Sequence, residues 1–363
     1  MIKSFVVHDV RVFTDGSLSS PRDVFVSDGR IVPTAPTEAA RIDGAGGTLL
    51  PGLIDTHAHV DSRQHLLAYG RWGVTTVLDM GTASWSETSR LRNLPGVASL
   101  RSAGAIACAP KGIAVRKMGY PPGSAVHGPA DAARFVADRI ADGVDHIKIV
   151  LEESLPFQPK PLDEATVTAL VHAAHGAGLL VCVHATSVKS FQLAARAGAD
   201  VLTHAPLAGT LSQEQAQDLA RRGTATSPTL VMMKKLVEHF PAPIKPSKIQ
   251  YANPVQLVTM LQSVGATILV GTDANSDPTA PNTIEHGASL HEELALLADA
   301  GLAPAAALQA ATGTAADVFR LTDRGRISPG LRADLLLVDG DPTSDILATQ
   351  EIRRVWIAGE EVR

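Results

Sequence analysis

Cysteine, aromatic residues and long apolar runs are all scarce in this chain. Its 363 residues include two cysteines, Cys108 and Cys182, both within apolar strand-like runs. Two cysteines cannot build a disulfide framework, so we expect reduced core residues. Aromatic residues make up only 4%, which disfavours a carbohydrate site walled by aromatic rings. No run approaches the ~20 apolar residues of a membrane span, and the N-terminus lacks the apolar core of a signal peptide. We therefore expect a soluble, cytoplasmic protein.

An excess of charge of one sign is also lacking. The formal net charge is −5, with acidic and basic residues interspersed, so we expect neither nucleic acid nor a membrane as a partner. Ala, Val and Leu dominate an apolar content of 45%, which suits the core of a parallel barrel. The expected partner is a small-molecule substrate. Assembly into a homo-oligomer stays open.

What the sequence does contain is a series of polar residues at the ends of short apolar runs. The stretch LPGLIDTHAHV carries His57 and His59, and residues two apart point to the same face of a strand. A lone HxH pair or a lone histidine is more often structural than metal-binding. Four later runs, however, end in the same kind of residue, namely Lys148, His184, His204 and Asp273. Six nitrogen or oxygen donors at strand ends favour a metal site.

The pattern of apolar runs predicts an α/β fold. Residues 1–50 alternate like strands with DG turns. After Pro51, short apolar runs alternate with Ala-rich helical stretches, which is typical of βαβ units. Eight runs are found: LIDTHAHV, VTTVLDM, VASLRSAGAIAC, DHIKIVL, GLLVCVHA, DVLTHA, ATSPTLV and TILVGTD. They predict a (β/α)8 TIM barrel over residues 51–321, with the candidate ligands on its active C-terminal face.

The C-terminal residues 322–363 return to an alternating pattern. GRISPGLRADLLLVDGDP and EIRRVWIAGEEV both read as strands with turns between them. We expect this tail to join residues 1–50 in a small β-sandwich domain, built from both ends of the chain and lying beside the barrel.

These residues together resemble the amidohydrolase superfamily, in the branch of imidazolonepropionase-like and prolidase-like hydrolases. The matching stretches are LLPGLIDTHAHV, DHIKIV, VHA, THAP, GTDAN and the tail GRISPGLRADLLLVDGDP, so the resemblance covers nearly the whole chain. It implies a binuclear site with two divalent metal ions. In that site, one ion would be held by His57, His59 and Asp273. The other would be held by His184 and His204, and an N-carboxylated Lys148 would bridge both.

Elementary chemistry makes the implied role of Lys148 reasonable. An ammonium beside two divalent cations would be strongly disfavoured, so the amine should be neutral. A neutral amine can add carbon dioxide to form a carbamate, which is an anion with oxygen ligands. Histidine ligands favour a transition metal, and zinc is the default expectation. The alternative interpretation of Lys148 is an ordinary salt-bridging lysine.

The resemblance implies hydrolysis of a carbon–nitrogen bond in a small substrate, such as an N-acyl amino acid, a dipeptide or a cyclic amide. Two metals would lower the pKa of a bridging water and polarise the carbonyl, so that a metal-bridging hydroxide attacks. Asp273 would act as general base and then as general acid toward the leaving nitrogen. Lactone, ester or phosphotriester hydrolysis on the same site is the alternative. A non-catalytic binding protein ranks last because all six ligands are present, and a mononuclear deaminase needs no bridging lysine.

Substrate contacts are harder to predict. The loop after the third strand has RKMGYPPGS, with Tyr120 where close relatives carry a Gly-Gly-His stretch. Its Arg116 and Lys117 could bind a substrate carboxylate or belong to a solvated basic loop, and His286 is a further candidate contact. The segment Met232 to Pro254 is either an apolar lid or an extended surface helix.

Overall fold

The structure is a computed structural model that describes residues 4–151, 160–239, 248–276 and 282–363. Within these ranges the strands are β1 Ser4–Thr14, β2 Ser17–Leu18, β3 Arg22–Ser27, β4 Arg30–Val32, β5 Ala40–Asp43, β6 Thr48–Pro51, β7 Leu53–Ala58, β8 Val74–Asp79, β9 Ser99–Ser102, β10 His146–Val150, β11 Leu180–His184, β12 Val201–Thr203, β13 Ala225–Ser227, β14 Leu335–Val338, β15 Ile352–Ile357 and β16 Glu360–Glu361.

The helices alternate with the middle group of strands. They are α1 Arg63–Arg71, α2 Trp85–Thr88, α3 Ile113–Lys117, α4 Ala132–Asp142, α5 Glu164–Gly176, α6 Val188–Arg196, α7 Gln213–Arg222, α8 Leu230–His239, α9 Ala252–Ser263, α10 Ala288–Asp299, α11 Pro304–Ala310 and α12 Gly313–Val318. Short 3-10 turns cover Ser89–Leu91, Pro122–Ser124, Pro129–Asp131 and Ile346–Gln350. None of the helices within the described ranges is long and apolar enough to cross a membrane.

Both ends of the chain contribute to one sheet. Its strand order is β16-β15-β14-β6-β1-β3-β4, with β2 and β5 also paired to β1. The link between the two ends is the antiparallel pair β6–β14, in which Leu49 lies opposite Leu337. Alternation in β1 buries Phe5 and Val7, because successive side chains of a strand point to opposite faces. These residues pack in a core that is separate from the core under the parallel strands.

The middle of the chain forms two parallel sheets, β7-β8-β9 and β10-β11-β12-β13. Their strands are buried along nearly their whole length, as expected for parallel strands covered on both faces. A parallel bridge joins Ala107, in the segment that follows β9, to Ile149 of β10. The prediction of an α/β chain with parallel strands is therefore confirmed.

The eighth predicted strand, TILVGTD, is not a continuous strand. The segment instead forms isolated parallel bridges at Ile268 and Ala274, to β13 and β7 respectively. The last residue of the run, Asp273, has a positive φ of 59°, a conformation outside the β region. Gly271 allows this segment to lie close to His57 of β7, since a Cβ at Gly271 would be only 2.8 Å from the Cβ of His57. The third run is likewise shorter than predicted, because only Ser99–Ser102 is a strand.

Candidate metal centre

The six predicted ligands lie at or near the carboxyl ends of the parallel strands. His57 is in β7 and His59 follows it, while His184 ends β11. His204 comes directly after β12. Lys148 differs from the prediction, because it is the third of five residues in β10 rather than the last. Its position is level with Cys182 of β11, so its long side chain must extend to reach the strand ends.

Asp273 lies at the centre of the cluster. Its Oδ1 is 3.3 Å from Nε2 of His57 and 3.3 Å from Nε2 of His59. Its Oδ2 is 3.9 Å from Nδ1 of His204. His57, His204 and Asp273 each offer one ligand atom, and these atoms lie within 4.8 Å of one another. One carboxylate therefore connects histidines from different strand ends.

His184 joins the cluster through ring contacts. Its ring centroid is 4.3 Å from that of His204 in an edge arrangement. The ring of His204 lies 4.7 Å from the ring of His57. The histidines expected to hold two separate ions are therefore neighbours across the strand ends.

The donors fit a divalent transition metal. Burial lowers the pKa of His57 to about 3 and that of His184 to about 3, and burial also lowers the pKa of His204 well below its ordinary value. These imidazoles are therefore neutral at pH 7 and have a lone pair for a metal. Nδ1 of His57 is buried and has no hydrogen-bond partner among the described residues. A buried nitrogen without a partner is costly, and the other ring nitrogen, Nε2, is the one that faces Asp273 at 3.3 Å.

Lys148 is buried within the same region, with 3% of its surface exposed. Burial lowers the pKa of its amine to about 8, because a low-dielectric environment disfavours the ammonium. Nζ donates a hydrogen bond to Oγ1 of Thr203 at 2.8 Å. Within the described ranges its amine forms no ion pair with a carboxylate. Its environment is thus closer to that of a reactive amine than to that of a salt-bridging lysine.

The backbone around the cluster is strained. His204, Thr229 and Asp273 have φ values of 74°, 49° and 59°. Such values are uncommon for residues other than glycine and cost about 1–3 kcal/mol each. Strain of this kind persists only where surrounding contacts hold it. Two of the three residues contact each other directly, since Oγ1 of Thr229 is 3.0 Å from Nδ1 of His204.

The carboxylate of Asp55 accepts four hydrogen bonds from residues near the candidate ligands. Its Oδ1 accepts from the backbone N–H groups of His57 at 3.1 Å and Thr272 at 3.2 Å. Its Oδ2 accepts from the hydroxyls of Thr272 at 2.7 Å and Tyr69 at 3.2 Å. Burial raises the pKa of Asp55 to about 7, although these hydrogen bonds lower it. The sequence places Asp55 two residues before His57, but its bonds to Thr272 had no sequence signal.

Asp79 and Gly81 fix the position of His59. Nδ1 of His59 is 2.9 Å from the carbonyl oxygen of Gly81. An oxygen of Asp79 accepts from the backbone N–H of Val60 at 3.1 Å. Tyr120 approaches the same place, because a Cβ at Gly81 would lie 3.0 Å from its hydroxyl oxygen. The same Cβ would clash with Cγ2 of Ile106, so Gly81 has no room for a side chain and the Tyr120 hydroxyl lies beside its backbone.

Of the other predicted substrate contacts, His286 lies beside a candidate ligand, whereas Arg116 and Lys117 have no recorded contact with the cluster among the described residues. Nε2 of His286 is 2.9 Å from the carbonyl oxygen of His59, and its ring stacks on His65 at 3.7 Å. Arg116 and Lys117 are exposed or partly exposed residues at the end of α3. Neither side chain makes an ion pair with any residue in the part of the chain that the structure describes. Their role in carboxylate binding stays a prediction.

The segment predicted as a lid or surface helix is partly described. Met232 and Met233 are buried in α8. Residues 248–254 lead into α9. Residues 240–247, in the middle of the predicted segment, lie outside the described residues, so the choice between a lid and a surface helix stays a prediction.

Comparison with known proteins identifies the family. A profile of the Amidohydrolase family matches residues 48–362. The imidazolonepropionase of Deinococcus deserti is 25% identical to this chain. The alignment is 390 positions long and covers 93% of this chain and 91% of that protein. This sequence similarity extends through the strands that carry the candidate ligands.

Solved structures show the same fold. A Xaa-Pro dipeptidase with methionine bound in its active site has a TM-score of 0.84 and 23% identity, over 99% of both chains. A prolidase complexed with N-methylphosphonate-L-proline has a TM-score of 0.79 and 22% identity, also over 99% of both chains. Because the profile covers most of its length, this chain belongs to the amidohydrolase family and is a hydrolase that acts on carbon–nitrogen bonds.

Proposed function

We propose that this protein is a metal-dependent hydrolase that cleaves the amide bond of a small substrate, such as an N-acyl amino acid, a dipeptide or a cyclic amide. The observation that carries the proposal is the position of Asp273. Its carboxylate contacts His57 and His59 and lies beside His204. A carboxylate among buried histidines can both ligate a metal and exchange a proton.

We also infer that the parallel strands form a (β/α)8 barrel over residues 51–321. Bridges at Ile268 and Ala274 connect the segment after α9 to β13 and β7, which supports a closed ring of eight segments. Residues 1–50 and 322–363 would then form the small β-domain. In such a barrel, active-site residues come from the carboxyl ends of several strands.

The metal ligands that we assign are the six residues found in the sequence. One ion would be held by His57, His59 and Asp273, and the other by His184 and His204, with carboxylated Lys148 between them. Two divalent ions of this kind, zinc by default, would lower the pKa of a bound water and polarise a carbonyl group. The neutral state of the buried His57 and His184 and the lowered pKa of Lys148 support this assignment.

Proton transfer would fall to Asp273. Burial alone would raise the pKa of this carboxyl, but the adjacent histidines lower it well below its ordinary value. The group is therefore an ionised carboxylate and can accept a proton at an oxygen. It can then donate that proton to the leaving nitrogen. An amide needs this donation, because an amide anion is a very poor leaving group.

The substrate class rests on the relatives and on the site. The names of the similar proteins include an imidazolonepropionase, a Xaa-Pro dipeptidase and a prolidase. These names favour a cyclic amide or a dipeptide for this chain as well. We propose Tyr120, whose hydroxyl lies beside Gly81, and His286, which contacts the carbonyl of His59, as contacts of such a substrate.

Lactone, ester or phosphotriester hydrolysis is the second candidate, because the same ligands serve those reactions. The test is a hydrolysis screen on zinc-reconstituted protein that pairs each amide with the ester or lactone of the same acyl group. We expect amide turnover that disappears when the metal is removed. Turnover of esters or phosphotriesters without any amide turnover would refute the proposal.

A further inference from the structure

A buried glutamate in α10 is not one of the candidate ligands or substrate contacts described above. Glu293 is in α10 and is fully buried. Its Oε1 accepts from the backbone N–H of Leu230 at 2.8 Å, and its Oε2 accepts from the backbone N–H of Val231 at 2.7 Å. Both N–H groups belong to the first turn of α8. The carboxylate therefore binds the beginning of that helix with both oxygens.

The first turn of α8 is directly connected to Thr229. The carbonyl of Thr229 accepts the first hydrogen bond of the helix, from the backbone N–H of Met233 at 3.0 Å. Thr229 itself is fully buried and has a φ of 49°. A β-branched residue is a clear outlier in this conformation, so something must hold it there. The two bonds from Glu293 to the next two residues provide that restraint.

Thr229 in turn contacts a metal ligand. Its Oγ1 lies 3.0 Å from Nδ1 of His204. In a ligating histidine, the hydrogen bond at one ring nitrogen fixes the tautomer and the ring orientation, and leaves the other nitrogen for the metal. Thr229 would therefore leave Nε2 of His204 available as the ligand atom.

We propose that Glu293 is a positioning residue for His204, because it holds the start of α8 and thereby keeps the Thr229 hydroxyl against the imidazole. The inference rests on the proposed metal site. Burial raises the pKa of Glu293 to about 8, although its two backbone bonds lower it.

The test compares Glu293→Gln with Glu292→Gln in the same helix. The side-chain amide introduced by Glu293→Gln would present its own N–H to a backbone N–H, so one of the two bonds is lost. Glu292 is exposed and lies 4.0 Å from Lys234 of α8, so the control makes the same chemical change between the same two helices. We expect Glu293→Gln to weaken zinc affinity by about 10- to 100-fold in a chelator competition, and Glu292→Gln to leave it unchanged.

A second pair of variants separates positioning from general loosening of the fold. Thr229→Val removes the hydroxyl, whereas Thr229→Ser keeps it. If Glu293 acts through Thr229, then Glu293→Gln should add little to the loss already caused by Thr229→Val, and Thr229→Ser should retain most of the affinity. An equal loss from Glu293→Gln in both backgrounds would overturn the proposal. Should the glutamine variant not fold, Glu293→Asp keeps the carboxyl group but is one methylene shorter, and it replaces Glu293→Gln in the same comparison.

Metal-free protein gives an independent measurement. The ¹⁵N signals of the His204 ring report its tautomer, and they should shift in Glu293→Gln but not in Glu292→Gln. Unchanged signals would overturn the positioning role whether or not the protein binds zinc. Absence of zinc binding by the parent protein would instead refute the proposed function, while the ring signals would still decide the role of Glu293.

Discussion

The hydroxyl of Thr272 should be worth several kcal/mol to the fold, and Thr272→Val removes it without changing the shape of the side chain. Thr272 is fully buried. Its Oγ1 donates to Oδ2 of Asp55 at 2.7 Å and accepts from the backbone N–H of Ala274 at 3.0 Å. Valine would leave that N–H without a partner and would remove one of two donors to the Asp55 oxygen. The hydroxyl thus connects Asp55 to the segment that carries Asp273.

The magnitude follows from these two bonds. A hydrogen bond to a charged group contributes about 1.5–3 kcal/mol, and a buried amide left unpaired costs about 1–3 kcal/mol. Thr272→Val should therefore lower the free energy of unfolding by about 2.5–6 kcal/mol. Thr272→Ser keeps both bonds and loses one methyl group, which costs about 1 kcal/mol.

The assay is urea unfolding of the metal-free parent and of both variants under the same conditions. Metal-free protein is used so that binding energy does not add to stability. The account predicts that the serine variant is clearly more stable than the valine variant. A valine variant as stable as the serine variant, or more stable, would refute the assignment of these bonds.

Three further predictions concern the site and the pH dependence. Asp273→Asn should keep the fold and lower kcat for an amide by about 10²–10⁴-fold, as expected for a lost general acid–base; a variant within a few-fold of the parent would assign the proton to another group. If Arg116 or Lys117 binds a substrate carboxylate, its replacement by Ala should lower kcat/KM by about 10- to 150-fold for anionic substrates only. Equal losses for neutral substrates would indicate a structural role of that loop. Burial lowers the pKa of His291 to about 4, so its neutral form contributes stability that is complete above about pH 6.5 and is lost as the pH falls toward 4. In His291→Gln the free energy of unfolding should therefore fall less steeply with decreasing pH, by up to about 1.4 kcal/mol per pH unit. Urea unfolding at a series of acidic pH values measures this slope, and an unchanged slope would contradict the prediction.

The candidate ligands could be found in the sequence because each one stands at or near the end of an apolar run. Parallel strands bring their carboxyl ends to one edge, so His57, His184 and His204 were expected to meet before any distance was known. The ring contacts between them agree with this. Cys108 and Cys182 are also buried thiols rather than members of a disulfide, as their apolar surroundings predict.

Contacts that depend on precise packing could not be predicted. The bonds from Glu293 to the start of α8 join residues more than 60 positions apart, and no local pattern marks them. The run TILVGTD has the composition of a strand, yet it pairs through isolated bridges and its last residue, Asp273, has a left-handed backbone. Such a conformation follows from the contacts of the folded chain rather than from the propensity of the residues.

The central claim is that His57, His59, His184, His204 and Asp273 form a binuclear metal centre with a carboxylated lysine. Native mass spectrometry of the zinc-reconstituted chain tests it most directly, because it counts metal ions and detects the added carbon dioxide in one spectrum. The account predicts about two zinc ions per chain together with the mass of one carbamate, and the loss of the carbamate and most of the metal in Lys148→Ala. A parent protein that retains no metal, or a Lys148→Ala variant with the full metal and carbon dioxide content, would contradict it.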